Sequence, residues 1–188
     1  FRGITNSKNY LFDFACASWS LICEPGDMIA GLLREELGPI ESLILVINST
    51  DAESIMKQLS KDLDQTPNFT KTLTECLETW RRRVRQADVF KSLEILRSIG
   101  GTLVTAQSSY WPEQLNDLQH GAPAALWLLG DPKRLLELSA SVAVVGSRIV
   151  SEYGKAVTKD VVNTLVKDGN PIVSGGAIGI DAVAHQKT

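Results

Sequence analysis

Two glycine-rich segments carry the residue types in this sequence that are best suited to chemistry. Each segment follows an apolar run, and together they supply seven candidate residues: Gly146, Ser147, Arg148, Ser174, Gly175, Gly176 and Gly179. A glycine has no Cβ, so the backbone N–H groups beside it can approach an anion closely. The arginine adds a rigid fork of N–H donors, and the two serines add hydroxyl groups. This pattern predicts a crevice that binds phosphate groups.

The glycine spacing differs from two familiar phosphate-binding motifs. Gly175, Gly176 and Gly179 are one residue more closely spaced than the dinucleotide fingerprint G-x-G-x-x-G, and no ribose-binding acid is evident. The lysine of a P-loop is also missing. Either segment alone is equally typical of a tight turn between a strand and a helix. Two such segments after successive strands, one of them with Arg148, favour phosphate binding.

Ser174 also belongs to a set of side chains that a hydrolase would use. Asp181 and His185 are four residues apart, so they share one face of the helix predicted to follow Ser174. The nucleophile-elbow pattern G-x-S-x-G is absent, however. We therefore interpret Asp181 and His185 as a pair that orients this helix, and we predict no catalytic residue.

The composition restricts the classes of protein to which the chain can belong. Its 188 residues include 19 Lys+Arg and 22 Asp+Glu, a net charge of −3, and 44% are hydrophobic. This balance argues against intrinsic disorder and against coating of duplex DNA by bulk positive charge. Three cysteines without a C-x-x-C pair and only two histidines predict reduced thiols in the cytoplasm, with no disulfide or metal site. No apolar stretch approaches the roughly 18 residues of a membrane span.

Helical periodicity runs through the first 99 residues. Turn and capping residues divide them into predicted helices over residues 10–23, 28–37, 40–47, 52–63, 69–85 and 89–99. Residues 40–47 also fit an apolar turn, and Asp27 is a candidate N-cap. The cationic run 81–83 with Arg85 is interpreted as a solvated helix face. The four tryptophans lie in apolar patterns and are predicted to pack in the core.

The pattern changes to alternating strands and helices after residue 100. Apolar runs predict strands over residues 103–105, 124–129, 141–145 and 171–174, and helices are predicted over 111–118, over 153–167 with Ser151 as cap, and after Gly179. The alternation indicates a βαβ unit with a right-handed crossover. In such a sheet, ligands bind beyond the carboxyl ends of the strands, where both glycine segments lie. The predicted fold class is α/β, with a helical domain over 1–99 and a parallel-sheet domain over 100–188.

Five motifs in the second domain resemble those of one protein family in both order and spacing. They are Tyr110-Trp111-Pro112-x-x-Leu115-x-x-Leu118, Pro123-x-x-Leu126-Trp127-x-x-Gly130-Asp131, the stretch 141–148, Ser151-x-Tyr153-Gly154, and Ser174-Gly175-Gly176-Ala177-x-Gly179-Ile180-Asp181-x-x-Ala184-His185. Together they are similar to the DNA-processing protein A family (DprA, also called Smf). Before residue 100, the segments 24–27 and 80–83 are similar to the SAM-like helical domain of actinobacterial members.

The resemblance implies a fold, a function and a set of partners. It implies a SAM-like domain over 1–99 followed by the first half of a Rossmann-like domain over 100–188, so the sequence is expected to be an N-terminal fragment. The family's role would be that of a single-stranded DNA-binding protein of natural transformation (competence) and recombination. It would protect incoming strands, help to load the RecA recombinase, form a homodimer, and need no cofactor or catalytic residue.

The same resemblance assigns strand binding to the two glycine segments, that is, to the seven candidate residues above. Gly176 departs from many family members, which have a different small or apolar residue at this position. A nucleotide-phosphate-binding enzyme on a related Rossmann-like fold remains the alternative function, since such folds use similar glycine loops. A third hypothesis treats the helical half as a protein-interaction module.

Overall fold

A computed structural model of the chain describes residues 10–59 and 67–186. The chain packs as two compact units, Phe1–Pro132 and Lys133–Thr188. Helices and small sheets are combined in an α/β composition. In the described ranges, no helix is long and apolar enough to cross a membrane.

The first unit contains six helices and a pair of strands in its described part. They are α1 (Tyr10–Ile22), α2 (Met28–Leu37), α3 (Pro39–Ile47), α4 (Ala52–Met56), α5 (Pro67–Gln86), α6 (Val89–Ser98), β1 (Gly101–Val104), a 3₁₀ segment (Glu113–Gly121) and β2 (Leu126–Leu129). The helices predicted over 10–23, 28–37, 69–85 and 89–99 are confirmed, and residues 40–47 are helical rather than an apolar turn. The helix predicted over 111–118 is instead a 3₁₀ segment that begins at Glu113. The helix predicted over 52–63 ends at Met56, and its last residues, from 60 onward, lie outside the described ranges.

The core of the first unit is arranged around two tryptophans. The rings of Trp19 and Trp80 meet edge to face at a centroid distance of 5.2 Å, a favoured geometry for aromatic pairs. The Trp80 indole N–H donates to Asp27 Oδ2 over 3.1 Å. The other carboxylate oxygen of Asp27 accepts from the Ala30 amide over 3.0 Å, so the predicted N-cap of α2 is confirmed. Trp111 is buried and Trp127 is half-buried, which agrees with their prediction as core residues.

The four arginines of the cationic run on α5 differ in their contacts. Arg81 donates to the Thr50 carbonyl, and Arg83 donates to the Ile22 carbonyl over 3.2 Å and forms an ion pair with Glu24. The prediction of a solvated face is therefore wrong for these two arginines, because each satisfies a carbonyl oxygen outside its own helix. It holds for Arg82 and Arg85, whose side chains are exposed.

Strands β1 and β2 belong to the first unit. They pair antiparallel, with Gly101 opposite Leu129 and Val104 opposite Leu126. A two-stranded ribbon cannot bury its own apolar face, and β1 packs on α6. The compact unit therefore extends beyond residue 99, whereas the assignment of domains to 1–99 and 100–188 stays a prediction.

The second unit contains the predicted strand–helix–strand arrangement. After a 3₁₀ segment (Pro132–Ala140) come β3 (Val142–Ala143), α7 (Glu152–Lys167), β4 (Ile172–Val173) and α8 (Ile180–His185). Strands β3 and β4 pair in parallel, and α7 connects them. The Ser151 hydroxyl accepts from the Gly154 amide over 3.1 Å, so the predicted cap of α7 is confirmed. Both strands are shorter than the apolar runs that predicted them: β3 ends at Ala143, and Val145 beyond it is 74% exposed.

Candidate functional site

Both glycine segments lie in the second unit and contact each other directly. We call residues 146–148, which follow β3, the first loop, and residues 174–179, which follow β4, the second loop. The Ile180 amide donates to the Ser147 carbonyl over 3.1 Å. A Cβ built on Gly146 would lie 2.6 Å from Ile180 Cγ1. The structure therefore brings the seven predicted site residues together on one pair of loops.

Gly179 allows the two loops to approach each other. Its φ is +97°, a region that other residues rarely adopt. A Cβ at this position would lie 2.2 Å from the Ser147 carbonyl oxygen and 2.7 Å from Arg148 Cα. Such distances leave no room for a side chain. The glycine is therefore required by the contact between the loops, independently of any ligand.

Backbone amides of the two loops lack acceptors within the chain. Among the described residues, the N–H groups of eight loop positions donate no hydrogen bond: Gly146, Ser147, Arg148, Ser174, Gly175, Gly176, Ile178 and Gly179. Strands and helices pair nearly all of their buried amides, but these loop residues belong to neither a strand nor a helix. The unpaired amides are thus available to an external acceptor such as a phosphate oxygen.

The two serine hydroxyls differ in what they can offer to a ligand. Ser147 Oγ accepts from the Ile149 amide over 3.2 Å, which leaves its own hydrogen for an external acceptor. Ser174 Oγ donates its hydrogen to the Val144 carbonyl over 2.7 Å. This bond connects the end of β4 to the end of β3. Ser174 therefore fixes the geometry of the two loops, whereas Ser147 can contact a ligand.

Arg148 is the cationic side chain of the site. It is exposed, and its guanidinium forms no hydrogen bond or ion pair with any residue that the structure describes. Glu152, the acid nearest to it in sequence, is already paired with Lys155 over 2.6 Å. The hydrogen bond from Lys155 lowers the pKa of the Glu152 carboxyl. Because this neighbouring carboxylate is engaged, Arg148 keeps its donors for an anion.

The hydrolase-like trio is not arranged for nucleophilic catalysis. His185 Nε2 lies 3.4 Å from the backbone oxygen of Ser174 rather than paired with its hydroxyl. Asp181 Oδ2 accepts from the Ala177 amide over 3.3 Å. Both side chains therefore contact the second loop from α8. In residues 10–59 and 67–186, no group of three or more His, Cys, Asp or Glu is placed to hold a metal ion.

The hydrogen bond from the Ala177 amide to Asp181 is not predicted from the sequence, in which Asp181 is paired only with His185. The four-residue separation of Ala177 and Asp181 is the signal for this bond, because an acid in the first turn of a helix can reach back to an earlier amide, as the acid of a capping box does.

Comparisons with known proteins find one protein family and several relatives that resemble this chain. The family model described as DNA recombination-mediator protein A matches residues 102–188. A protein of Mycobacterium tuberculosis named putative DNA processing protein DprA is 38% identical over 118 residues, which cover 56% of this chain and 29% of that protein. The DNA processing protein DprA of Bacillus subtilis is 32% identical over 93 residues, covering 50% of this chain and 31% of the relative.

A third relative carries the other family name. Protein Smf of Escherichia coli is 40% identical over 84 residues, which cover 45% of this chain and 22% of that protein. The chain thus aligns with less than a third of each of these three relatives. Residues 102–188 thus match the family described as DNA recombination-mediator protein A, and the relatives to which the chain is similar are named DprA and Smf.

Proposed function

We propose that this chain binds single-stranded DNA through the first and second loops and acts in DNA recombination. One observation carries the proposal: eight backbone amides without acceptors lie on two contacting loops beside the unpaired guanidinium of Arg148. Amides and a single arginine contact the sugar–phosphate backbone without reading base edges. The proposed interaction is therefore with phosphate groups and has little dependence on sequence.

The net charge of −3 favours a single strand over a duplex. Proteins that coat duplex DNA neutralise many phosphates with lysine and arginine, and this chain has 19 of these residues against 22 acidic ones. A single strand is flexible enough to present a few phosphates to a small site. We infer that the loops hold a short stretch of one strand.

The proposed biological role follows the names of the relatives, which describe DNA processing and recombination mediation. We extend it to protection of incoming strands in natural transformation and to delivery of these strands to RecA by a homodimer. The parallel β3–α7–β4 unit supports a Rossmann-like assignment for the second domain, and the helices of the first unit support a SAM-like one. We propose a role in binding rather than catalysis, and the bond from the Ser174 hydroxyl to the Val144 carbonyl supports this for the candidate nucleophile.

Substitution of Arg148 by alanine tests the proposed site. Loss of a charged hydrogen bond to phosphate is expected to weaken binding of a fluorescent oligo-dT at least about tenfold, as measured by anisotropy. The dependence of log affinity on log salt concentration should decrease by about 0.7, the value for one phosphate contact on a single strand. Arg134→Ala is the matched control, because Arg134 lies in the same unit and is paired with Glu137.

Equal affinities of the wild type and Arg148→Ala would overturn the site assignment, as would an equal loss in the Arg134 control. The nucleotide-phosphate-binding enzyme is tested on the same samples. Turnover of nucleoside triphosphates that is abolished by Arg148→Ala, without affinity for oligo-dT, would replace strand binding with that function.

A further inference from the structure

The acidic residue Asp181 lies beside a site proposed to bind anions. It is in the first turn of α8, and only 7% of its surface is exposed. A carboxylate close to a bound phosphate repels it, and this repulsion is stronger in a partly desolvated site than in water. The position of Asp181 therefore disfavours the proposed ligand and requires another explanation.

Its contacts place Asp181 inside the curve of the second loop. The Ala177 amide donates to its Oδ2 over 3.3 Å. A Cβ built on Gly175 would lie 3.0 Å from the same oxygen, tighter than an ordinary contact. Gly176 lies between these two positions and turns the backbone with a φ of +69°. Residues 175–177 thus wrap around one carboxylate oxygen, and Gly175 provides the space for it.

The opposite end of the same helix also contacts the second loop. His185 Nε2 lies 3.4 Å from the Ser174 backbone oxygen. The Ser174 side chain in turn donates to the Val144 carbonyl, which leads to the first loop. Helix α8 therefore holds the second loop at two points, and Asp181 holds the part that carries the unpaired amides of Gly175 and Gly176.

We propose that Asp181 is a positioning residue: it holds residues 175–177 in the conformation that presents their amides to phosphate, and its charge lowers the affinity of the site. The two effects change the affinity for phosphate in opposite directions, and substitutions of Asp181 can measure each of them separately. The acceptor oxygen maintains the loop, whereas the negative charge opposes the anion. This inference rests on the proposed function, because it assumes that phosphate binds at the two loops.

Asparagine and alanine at position 181 separate the two effects. Asp181→Asn keeps an acceptor for the Ala177 amide and removes the charge, so we expect oligo-dT to bind roughly threefold to tenfold more tightly. Asp181→Ala removes both, and we expect binding to be about tenfold weaker than that of Asp181→Asn, because the loop loses its hydrogen bond. Asp160→Asn is the matched control, since it removes one charge at an exposed position of α7 in the same unit. It should leave the affinity within about twofold of the wild type.

A second measurement does not depend on DNA. Amide hydrogen exchange at Ala177 is expected to be at least about tenfold faster in Asp181→Ala than in the wild type, and close to the wild-type rate in Asp181→Asn. Gly175→Ala, which would displace the carboxylate, should accelerate exchange at Ala177 in the same way. Circular dichroism spectra identify any variant that has not folded. If Asp181→Ala does not fold, Gly175→Ala takes its place in the exchange measurement.

The outcomes distinguish failure of this inference from failure of the proposed function. If Asp181→Asn binds as weakly as Asp181→Ala, or if exchange at Ala177 is unchanged in Asp181→Ala, the positioning role is overturned. If the wild-type protein does not bind oligo-dT while exchange responds as expected, the proposed function fails and Asp181 remains a residue that positions the loop. Tighter binding by Asp181→Asn, together with a wild-type exchange rate at Ala177 in that variant, supports both the positioning role and the proposed function.

Discussion

At the scale of single residues, the glycines of the two loops have different physical roles. Gly179 adopts a φ of +97° and closely approaches the backbone of the first loop. Gly176 also has a positive φ, of +69°, but nothing lies within 4 Å of the position that its Cβ would occupy. A substitution at Gly179 must therefore move the loops apart, whereas a substitution at Gly176 only strains its own backbone.

We predict that Gly179→Ala destabilises the second unit far more than Gly176→Ala. The strain of a left-handed alanine costs about 1 kcal/mol, and the clash with the Ser147 carbonyl adds several kcal/mol at position 179. Urea unfolding followed by circular dichroism measures both losses. Similar losses in the two variants would show that the contact between the loops is not tight in solution.

At the scale of elements, one carboxylate of the first unit connects three helices. Asp27 caps α2 through the Ala30 amide and accepts from the Trp80 indole of α5, which packs on Trp19 of α1. A helix leaves its first amides without partners, and this cap satisfies one of them. The orientation of α5 is thereby coupled to the beginning of α2.

Substitution of Asp27 tests this coupling. Asp27→Ala is expected to lower the free energy of unfolding by about 2 kcal/mol, the sum of an ordinary N-cap and one buried hydrogen bond. Asp27→Asn keeps one acceptor oxygen for the Ala30 amide but places an NH2 donor where the Trp80 indole needs an acceptor, so it should lose the indole bond alone and cost about 1 kcal/mol.

The matched control for Asp27 is Asp51→Ala, at the exposed cap of the short helix α4. Hydrogen bonds from Ser54 lower the pKa of the Asp51 carboxyl, so its cap contributes above the ordinary carboxyl pKa and is lost as the pH falls through the lowered one. A loss at Asp51 as large as that at Asp27 in urea unfolding at neutral pH would contradict the special role of the Trp80 contact.

At the scale of the whole molecule, burial of a thiol that is neutral at physiological pH makes the stability of the first unit depend on pH. Three free cysteines are found, and Cys16 is buried in the apolar cluster that includes Leu93 and Leu103. Burial raises the pKa of the Cys16 thiol from 9.0 to about 12. Ionisation of this thiol is therefore suppressed as long as the unit remains folded.

This burial predicts a loss of stability at alkaline pH. Above pH 9 the unfolded chain loses the Cys16 proton while the folded unit retains it until about pH 12, so the free energy of unfolding decreases with rising pH in this window. The slope contributed by this thiol approaches about 1.4 kcal/mol per pH unit. Cys16→Ala should have a shallower slope in urea unfolding between pH 9 and 11. An unchanged slope would exclude Cys16 as the cause.

Interactions between residues close in sequence account for the positions of most helices, their caps and the two glycine loops. The capping residues Asp27 and Ser151 and the helical periodicity located most of the helices, since these signals depend on groups within a few residues. The same local pattern, glycine, serine and arginine after two apolar runs, predicts the two loops, whereas binding by their residues stays a prediction. The tryptophans were correctly placed in the core for the same reason.

Only the tertiary structure decided which distant groups meet. It paired β1 with β2 antiparallel within the first unit, connected Arg81 and Arg83 to carbonyls outside their helix, and set Gly179 against the first loop. It also directed the hydroxyl of Ser174 to Val144 and the carboxylate of Asp181 to Ala177. Hydrogen-bond partners and close backbone contacts depend on the three-dimensional path of the chain, which residue types and spacing alone do not specify.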